Sequence, residues 1–231
     1  MTSDALRMLR ARGAPLRLVI FDCDGVLVDS ELITTRVFAE MLGELGMHFT
    51  LPEMFDRFVG RSMKQCCESI AQLLQRPMPA EFVGQFHSRA AAALGAELKA
   101  VAGIETALDL LDAHRVPYCV ASNGTREKMR LTLSHTGLLP RFEGRRFSID
   151  QVARGKPAPD LFLLAARTFD VLPARCCVIE DTPTGVTAGV AAGMQVYGYC
   201  ALMPAQHMAA AGAHRTFTSM SELPALILGC A

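Results

Sequence analysis

The sequence predicts an α/β fold in which a doubly wound parallel sheet is interrupted by an inserted all-helical domain. Short, β-branched apolar runs alternate with helical segments after residue 101, and this alternation is typical of a parallel sheet with helices on both faces. Residues 30–100, in contrast, show helical spacing throughout. We therefore expect a core domain of residues 1–29 and 101–231, with residues 30–100 inserted as a separate helical domain.

The first strand is predicted at Leu16–Phe21, a short and almost unbroken apolar run. Asp22, Asp24 and Gly25 follow it directly. Side chains two residues apart in an extended chain point the same way, so both carboxylates can face one centre at the edge where α/β sheets bind ligands. This pattern indicates a site for a divalent cation and a phosphate. The alternative is that Asp22 merely caps the following turn.

The insertion is predicted to consist of helices. From Glu31 apolar residues recur at three- and four-residue spacing, and Gly46 is a suitable end. Gly60 and the Pro77–Pro79 stretch separate the later helices. Because the insertion begins directly after the acidic loop, it is placed to cover that loop. The predicted helical segments are 31–46, 51–60, 61–75 and 80–98.

From residue 101 the strand and helix patterns alternate to the end of the chain. Pro157 and Pro159 favour a helix start, because proline fits the first turn of a helix. The predicted strands are 117–121, 146–149, 176–179, 194–199 and a weak last strand at 215–218. The predicted helices are 104–114, 126–136, 159–169, 184–192 and 221–228.

Polar residues follow the second predicted strand and precede one of the helices. Ser122, Asn123 and Gly124 offer a hydroxyl and loop amides, which bind phosphate oxygens well in front of a helix. A plain helix N-cap explains these three residues at least as well when they are considered alone. Lys156 stands before a proline-fixed helix start, and a lone lysine in such a place is ordinarily solvated.

Two adjacent acids, Glu180 and Asp181, end the fourth predicted strand. If the strand ends meet, these acids lie near Asp22 and Asp24, where four carboxylates repel strongly without a cation. A ligand set of carboxylate oxygens suits Mg²⁺. The sequence therefore predicts a magnesium site at this edge of the sheet.

Composition narrows the class of protein. The chain of 231 residues is 51% hydrophobic and carries 23 basic and 23 acidic residues, so it has no global field that would attract nucleic acid or an anionic membrane. No apolar stretch approaches the roughly 18 residues that span a bilayer. Residues 1–15 lack the apolar core of a signal peptide and indicate a frayed or disordered lead-in. Eight cysteines without a C-x-x-C pair predict free thiols and a cytoplasmic location.

The segment FDCDGVLVDSE resembles the first motif of the haloacid dehalogenase (HAD) superfamily of phosphotransferases. Its form is most similar to the branch that holds β-phosphoglucomutase and the small sugar-phosphate phosphatases. Ser122, the GKPAPD segment around Lys156 and the Glu180–Asp181 pair match the second, third and fourth motifs in the family's order. The resemblance implies a HAD-like Rossmannoid core and a helical cap that closes over the substrate and excludes water.

The resemblance also implies a role for each motif. Asp22 would attack phosphorus and form an aspartyl-phosphate, and Asp24 would act as general acid and then base. Ser122 and the Asn123 amide would hold phosphate oxygens, and Lys156 would offset their negative charge. The implied Mg²⁺ ligands are Asp22, the backbone carbonyl of Asp24, Asp181, and Glu180 either directly or through water.

Phosphatases and mutases share these core motifs. The mutase pattern has a histidine on the first cap helix, where this chain has Thr34. It also has an arginine in the cap loop, and the sequence GRSMK here departs from that pattern, although Arg61 or Lys64 could substitute for the arginine. Other stretches look like the bacterial 6-phosphogluconate phosphatases, which favours Mg²⁺-dependent hydrolysis of a small sugar or sugar-acid phosphate. The candidates in the cap for binding that substrate, each also explained as a solvated surface residue, are Arg61, Lys64 and Arg89.

Two alternatives stay open at this point. One is a β-phosphoglucomutase-type mutase. The other is a non-enzymatic phospho-acceptor domain like the receiver domains, which needs neither a lid nor Asp24. Dehalogenation is disfavoured because that reaction does not use the second aspartate. The expected partner is a small phosphorylated metabolite, with no nucleic acid and no membrane, and the expected state is a monomer or small homo-oligomer.

Overall fold

The computed structural model describes residues 16–59 and 63–229. The predicted lead-in of residues 1–15 lies outside the described residues. The chain divides into two compact units. The described residues of Met1–Asp29 and Lys99–Ala231 form the first, which we call the sheet unit, and Ser30–Leu98 form the second, the helical unit.

Six strands form one parallel sheet among the described residues of the sheet unit, in the order β3-β2-β1-β4-β5-β6. The central strand β1 comes first in the sequence and consists of four buried apolar residues, as its composition predicts. The strands are β1 Leu18–Phe21, β2 Tyr118–Ser122, β3 Arg146–Ser148, β4 Cys176–Glu180, β5 Gln195–Tyr199 and β6 Arg215–Phe217.

The strand register determines where the site lies. Phe21, the last residue of β1, is level with Val120 of β2 on one side and Ile179 of β4 on the other. The residues that follow these positions therefore share one edge of the sheet. The chain winds outward in opposite directions on the two sides of the β1–β4 pair, and α/β sheets bind ligands at such a reversal of strand order.

Ten α-helices are present among the described residues, and none of them is long and apolar enough to cross a membrane. With the parallel sheet they confirm the predicted α/β class. The helices are α1 Ser30–Glu44, α2 Leu51–Phe58, α3 Met63–Leu74, α4 Phe82–Glu97, α5 Ile104–Ala113, α6 Arg126–His135, α7 Asp160–Thr168, α8 Pro183–Ala191, α9 Ala205–Ala210 and α10 Leu223–Leu228.

The structure differs from the sequence prediction in several element bounds and in the following details. Helix α9 was not predicted, because six residues are too few to show a helical period. The last predicted helix starts as a 3₁₀ turn at Met220–Glu222 before α10 begins. Lys99 and Ala100 belong to the sheet unit: the Lys99 carbonyl accepts from the Asp29 N–H at 3.0 Å, and Ala100 bridges to Val28.

The helical unit has a hydrophobic core of its own. The ring of Phe38 lies 5.5 Å from Phe58 and 5.2 Å from Phe86, both at steep interplanar angles. Helix α2 begins with a capping box, in which the Thr50 hydroxyl accepts from the Glu53 N–H and the Glu53 carboxylate accepts from the Thr50 N–H. Aromatic packing and a satisfied helix start thus stabilise this unit internally.

Candidate active site

A buried lysine joins two carboxylates at the edge of the sheet. The side chain of Lys156 is 4% exposed, and its ammonium donates to Asp22 and, at 2.6 Å, to Glu180. Asp22 follows β1 directly and Glu180 ends the neighbouring strand β4. The ammonium also lies 4.8 Å from the centre of the Phe162 ring. This lysine is therefore not a solvated surface residue.

The loop that carries Lys156 is held against the loop after β2. The Asn123 side chain accepts from the Lys156 N–H at 2.8 Å and donates to the Lys156 carbonyl at 3.1 Å. The Lys156–Pro157 peptide bond is cis. Gly155 has no room for a side chain, because a Cβ there would lie 2.6 Å from the Asn123 amide oxygen and 2.4 Å from Ile149. These contacts explain why a glycine precedes the lysine.

Both oxygens of the Glu180 carboxylate accept hydrogen bonds. One carboxylate oxygen accepts from Lys156, and the other accepts from the Thr182 hydroxyl at 2.9 Å and from the N–H groups of Asp181 and Thr182 at 3.1 Å. A Cβ on Gly185 would lie 1.8 Å from this carboxylate, so only glycine fits at that place in α8. Glu180 thus orients Lys156 and the loop that begins at Asp181.

Among the described residues, the site holds the three carboxylates of Asp22, Glu180 and Asp181 but only one buried lysine, Lys156. Burial raises the pKa of Asp22, and the carboxylates of Glu180 and Asp24 raise it further, although Lys156 acts in the opposite direction. Burial alone would lower the pKa of Lys156, but Asp22 and Glu180 together raise it above its usual value. The lysine therefore stays protonated, and the local charge is negative.

This local charge and the chemistry of the donors fit a divalent cation. Asp22, Glu180 and Asp181 each offer a carboxylate oxygen within 4.8 Å of the others. An all-oxygen set of this kind is what Mg²⁺ prefers. A bound cation would offset the burial and the repulsion that together raise the pKa of Asp22. The side chain of Asp24 is not part of this cluster, and its predicted contribution was a backbone carbonyl.

The second aspartate has a partner that the sequence did not predict. The Asp24 carboxylate accepts from the Lys128 ammonium at 2.7 Å. It also lies beside the loop after β2, since a Cβ on Gly124 would be 3.8 Å from Asp24 and 3.3 Å from the Ser122 hydroxyl. The structure thus brings Asp22, Asp24, Ser122 and Lys156 to one edge of one unit.

Ser122 is not the N-cap of the following helix. Thr125 takes that position, because its hydroxyl accepts from the Lys128 N–H at 3.2 Å. Ser122 is buried at the end of β2 and its hydroxyl accepts from the Gly124 N–H at 3.0 Å. The helix-capping explanation of Ser122 is therefore wrong.

Of the three substrate-binding candidates predicted in the helical unit, two lie near acidic side chains of that unit and the third is outside the described residues. Arg89 is paired with Glu44, and Lys64 lies 3.9 Å from Glu68. Arg61 lies outside the described residues. The unit also contains a cavity of about 150 Å³, whose lining includes Glu31, Thr34 and Thr35 besides apolar side chains. The Thr34 hydroxyl donates to the Ser30 carbonyl at 2.9 Å.

An acidic loop after each of two adjacent central strands, a buried lysine between them and a helical insertion define an enzyme of phosphoryl transfer. The family model described as haloacid dehalogenase-like hydrolase matches residues 19–199. The chain belongs to this family, and the resemblance found in its motifs is confirmed. It is a hydrolase of the phosphatase class, in a family whose enzymes generally use a divalent metal ion.

Relatives and solved structures match along nearly the whole chain. The 6-phosphogluconate phosphatase of Escherichia coli (strain K12) is 33% identical over 91% of this chain and 94% of its own. A haloacid dehalogenase-like protein of unknown function from Agrobacterium tumefaciens has a TM-score of 0.87 at 34% identity, covering 93% of this chain and 98% of that one. A HAD family hydrolase from Deinococcus radiodurans R1, solved with bound phosphate and sodium, has a TM-score of 0.84 at 36% identity and covers 94% and 97%.

Proposed function

We propose that this protein is a Mg²⁺-dependent phosphatase that hydrolyses a small sugar or sugar-acid phosphate through an aspartyl-phosphate on Asp22. The observation that carries the proposal is the buried contact of Asp22 with Lys156 beside two further carboxylates. The likeness to 6-phosphogluconate phosphatase supports the substrate class. The working location we propose is the cytoplasm, which suits the free thiols of the described cysteines.

Asp22 is the proposed nucleophile. One of its carboxylate oxygens attacks phosphorus while the bond from phosphorus to the sugar oxygen breaks. Lys156 lies against this carboxylate and compensates the charge that the dianionic phosphate brings into a buried site. The Ser122 hydroxyl and the Asn123 N–H are proposed to bind the phosphate oxygens, which the position of both at the end of β2 supports.

Asp24 is the proposed acid and base. In the first step its carboxyl group gives a proton to the departing sugar oxygen, which leaves as an alcohol. In the second step Asp24 takes a proton from the water that attacks the aspartyl-phosphate, and inorganic phosphate leaves Asp22 free again. Its side chain is 18% exposed, so it can reach both the alcohol and the water.

Mg²⁺ would be held by Asp22, Asp181 and the Asp24 backbone carbonyl. When bound, it supplies positive charge that stabilises the phosphate in the transition state. Glu180 already accepts from Lys156, Thr182 and two N–H groups, so we propose that it approaches the ion through water. Its main role is to orient Lys156.

A mutase is the second candidate, and one observation disfavours it. The position of the mutase histidine is taken here by Thr34, whose hydroxyl donates to backbone carbonyls of its own helix. A hydroxyl with the high pKa of threonine cannot shuttle protons as an imidazole does. The non-enzymatic alternative does not agree with the phosphatase class of the chain.

The decisive experiment measures phosphate release from a panel of sugar phosphates, including 6-phosphogluconate and β-glucose 1-phosphate, with Mg²⁺ and with EDTA. We expect Mg²⁺-dependent release from one or a few members, and Asp22→Asn to abolish it while the circular dichroism spectrum is unchanged. Conversion of β-glucose 1-phosphate to glucose 6-phosphate without phosphate release would establish the mutase instead. Retained activity in Asp22→Asn would refute the nucleophile.

A further inference from the structure

Lys128 occupies a place in its helix that stability does not favour. It is the third residue of α6, whose N-terminal end carries the positive end of the helix dipole. The dipole repels a lysine there, and an ion pair as exposed as the one with Asp24 adds little stability. Its side chain is 47% exposed, compared with 4% for Lys156. The position of this lysine therefore suggests a role in function.

The side chain of Lys128 lies along the loop of residues 122–124, which is proposed to bind the phosphate. A Cβ on Gly124 would be 3.4 Å from the Lys128 Cδ and 3.3 Å from the Ser122 hydroxyl. The bare backbone at Gly124 thus lets the lysine stem pass close to that loop and bring its ammonium to 2.7 Å from the Asp24 carboxylate. All these residues belong to the sheet unit.

The proposed mechanism places the leaving group at the same carboxylate. When Asp24 protonates the departing sugar oxygen, the two oxygens are about 2.7 Å apart. Because the Lys128 ammonium lies 2.7 Å from one oxygen of this carboxylate, it lies within about 8 Å of the leaving oxygen, whichever carboxylate oxygen carries the proton. This distance is on the scale of a small sugar acid, so an anionic group on the leaving sugar comes within reach of Lys128.

We infer that Lys128 determines substrate charge: it binds the carboxylate of a sugar-acid leaving group and makes the enzyme prefer acidic to neutral sugar phosphates. This inference rests on the proposed function and deepens it. An acidic leaving group must enter a site that already holds the carboxylates of Asp22, Glu180 and Asp181, and like charges repel unless a cation lies near them. Lys128 supplies that cation from the sheet unit itself.

The test compares substrates that differ only in charge. One pair is 3-phosphoglycerate and glycerol 3-phosphate, and the other is 6-phosphogluconate and sorbitol 6-phosphate. The readout is the ratio of kcat/KM for the acidic member to that for the neutral member, because any general effect of the variant on Asp24 cancels in this ratio. We expect Lys128→Met to lower the ratio by at least about 10-fold, as the loss of a charge-assisted contact does.

Two variants serve as controls. Lys128→Arg keeps the charge and is expected to keep the ratio within about threefold of the wild type. Arg130→Met removes the same charge from the same helix, but Arg130 is bound to Glu127 at 2.8 Å, so the ratio should not change. A ratio that Lys128→Met leaves unchanged, or a wild type that prefers the neutral member of both pairs, would overturn the inference.

A binding measurement separates this inference from the proposed function. Asp22→Asn and Asp22→Asn/Lys128→Met proteins are titrated calorimetrically with 3-phosphoglycerate and with glycerol 3-phosphate in the presence of Mg²⁺. Selective loss of affinity for the acidic compound upon Lys128→Met supports the inference even if the wild type hydrolyses neither compound, a result that would count against the phosphatase alone. Equal losses for both compounds would contradict the inference.

Discussion

At the scale of single residues, Lys156 is the side chain on which the core site depends. It is buried and donates to Asp22 and to Glu180. Among the described residues, no other cation forms an ion pair with either of these carboxylates. Without Lys156, the two buried carboxylates would have no positive charge beside them. Removing one partner of a buried ion pair lowers the stability of a protein by about 3–5 kcal/mol.

We therefore expect Lys156→Met to lower kcat by at least about 100-fold at saturating Mg²⁺. The same variant should lower the melting temperature, because the remaining carboxylates repel. Steady-state kinetics and calorimetry measure the two effects. Lys99→Met, at an exposed position of the same unit, is the control and should match the wild type. A kcat within threefold of the wild type would show that Lys156 does not take part in the reaction.

Gly185 allows a second prediction at this scale. Because its Cβ would overlap the Glu180 carboxylate, we expect Gly185→Ala to displace Glu180 and to lower the free energy of unfolding by about 1–3 kcal/mol. Activity should fall with it, since Glu180 orients Lys156. Gly95→Ala in α4 is the matched control: beyond its chain neighbours and its own helix backbone, no atom would lie within 4 Å of an added Cβ, so alanine should be neutral or stabilising. Equal denaturation midpoints for both variants would disprove the steric argument.

The sequence predicted which strand-end residues the structure brings together, because acids, hydroxyls and lysine at strand ends are visible in the order of residues. It did not predict the partners of those residues. That Lys128 contacts Asp24 depends on which side of α6 faces the sheet edge. That the Asn123 side chain binds the Lys156 backbone depends on how two loops meet. Neither relation leaves a local pattern.

At the scale of elements, the spacing of apolar residues was sufficient to predict most helices and strands. The predicted and observed bounds of these elements differ by one or two residues. The predicted strand at residues 117–121 is β2 Tyr118–Ser122, for example. Elements without a clear period were missed or altered. Helix α9 is short, and in the last helix Pro224 has no N–H, so it fits only near the start of α10.

The capping box of α2 predicts a pH effect. The N–H and hydroxyl of Thr50 donate to Glu53 and hold the pKa of its carboxyl below its usual range. A depressed pKa in the folded state stabilises α2 above the usual glutamate pKa, and this contribution is lost as the pH falls through the folded value. Glu53→Gln should therefore weaken amide protection in α2 more at pH 7 than at pH 3. Hydrogen exchange read by mass spectrometry measures this, and a difference that is the same at both pH values would contradict it.

At the scale of the whole molecule, the proposed magnesium site belongs to one unit only. Asp22, Glu180 and Asp181 all lie in the sheet unit. A ligand that binds only the folded form at 100 times its Kd adds about 2.7 kcal/mol of stability. Metal binding should therefore stabilise the sheet unit and leave the helical unit as it was.

We accordingly expect saturating Mg²⁺ to raise the melting temperature of the sheet unit by about 5–10 °C over the value in EDTA. Calorimetry with hydrogen exchange as a local probe assigns the transition to its unit. Asp181→Asn removes a proposed ligand and should abolish most of the rise. A rise of equal size in that variant would place the ion elsewhere.

The central place of β1 has a consequence for how the chain is made. Leu18 and its neighbours are synthesised early, yet one of their pairing partners is Cys176 and the residues after it. The sheet centre therefore has to wait until most of the chain exists, and pairing over such sequence distances is slow. Ser30–Leu98, continuous in sequence, has no such delay. In refolding of the full chain, amides of α1 and α4 should become protected before those of β1, and the acidic site should form last.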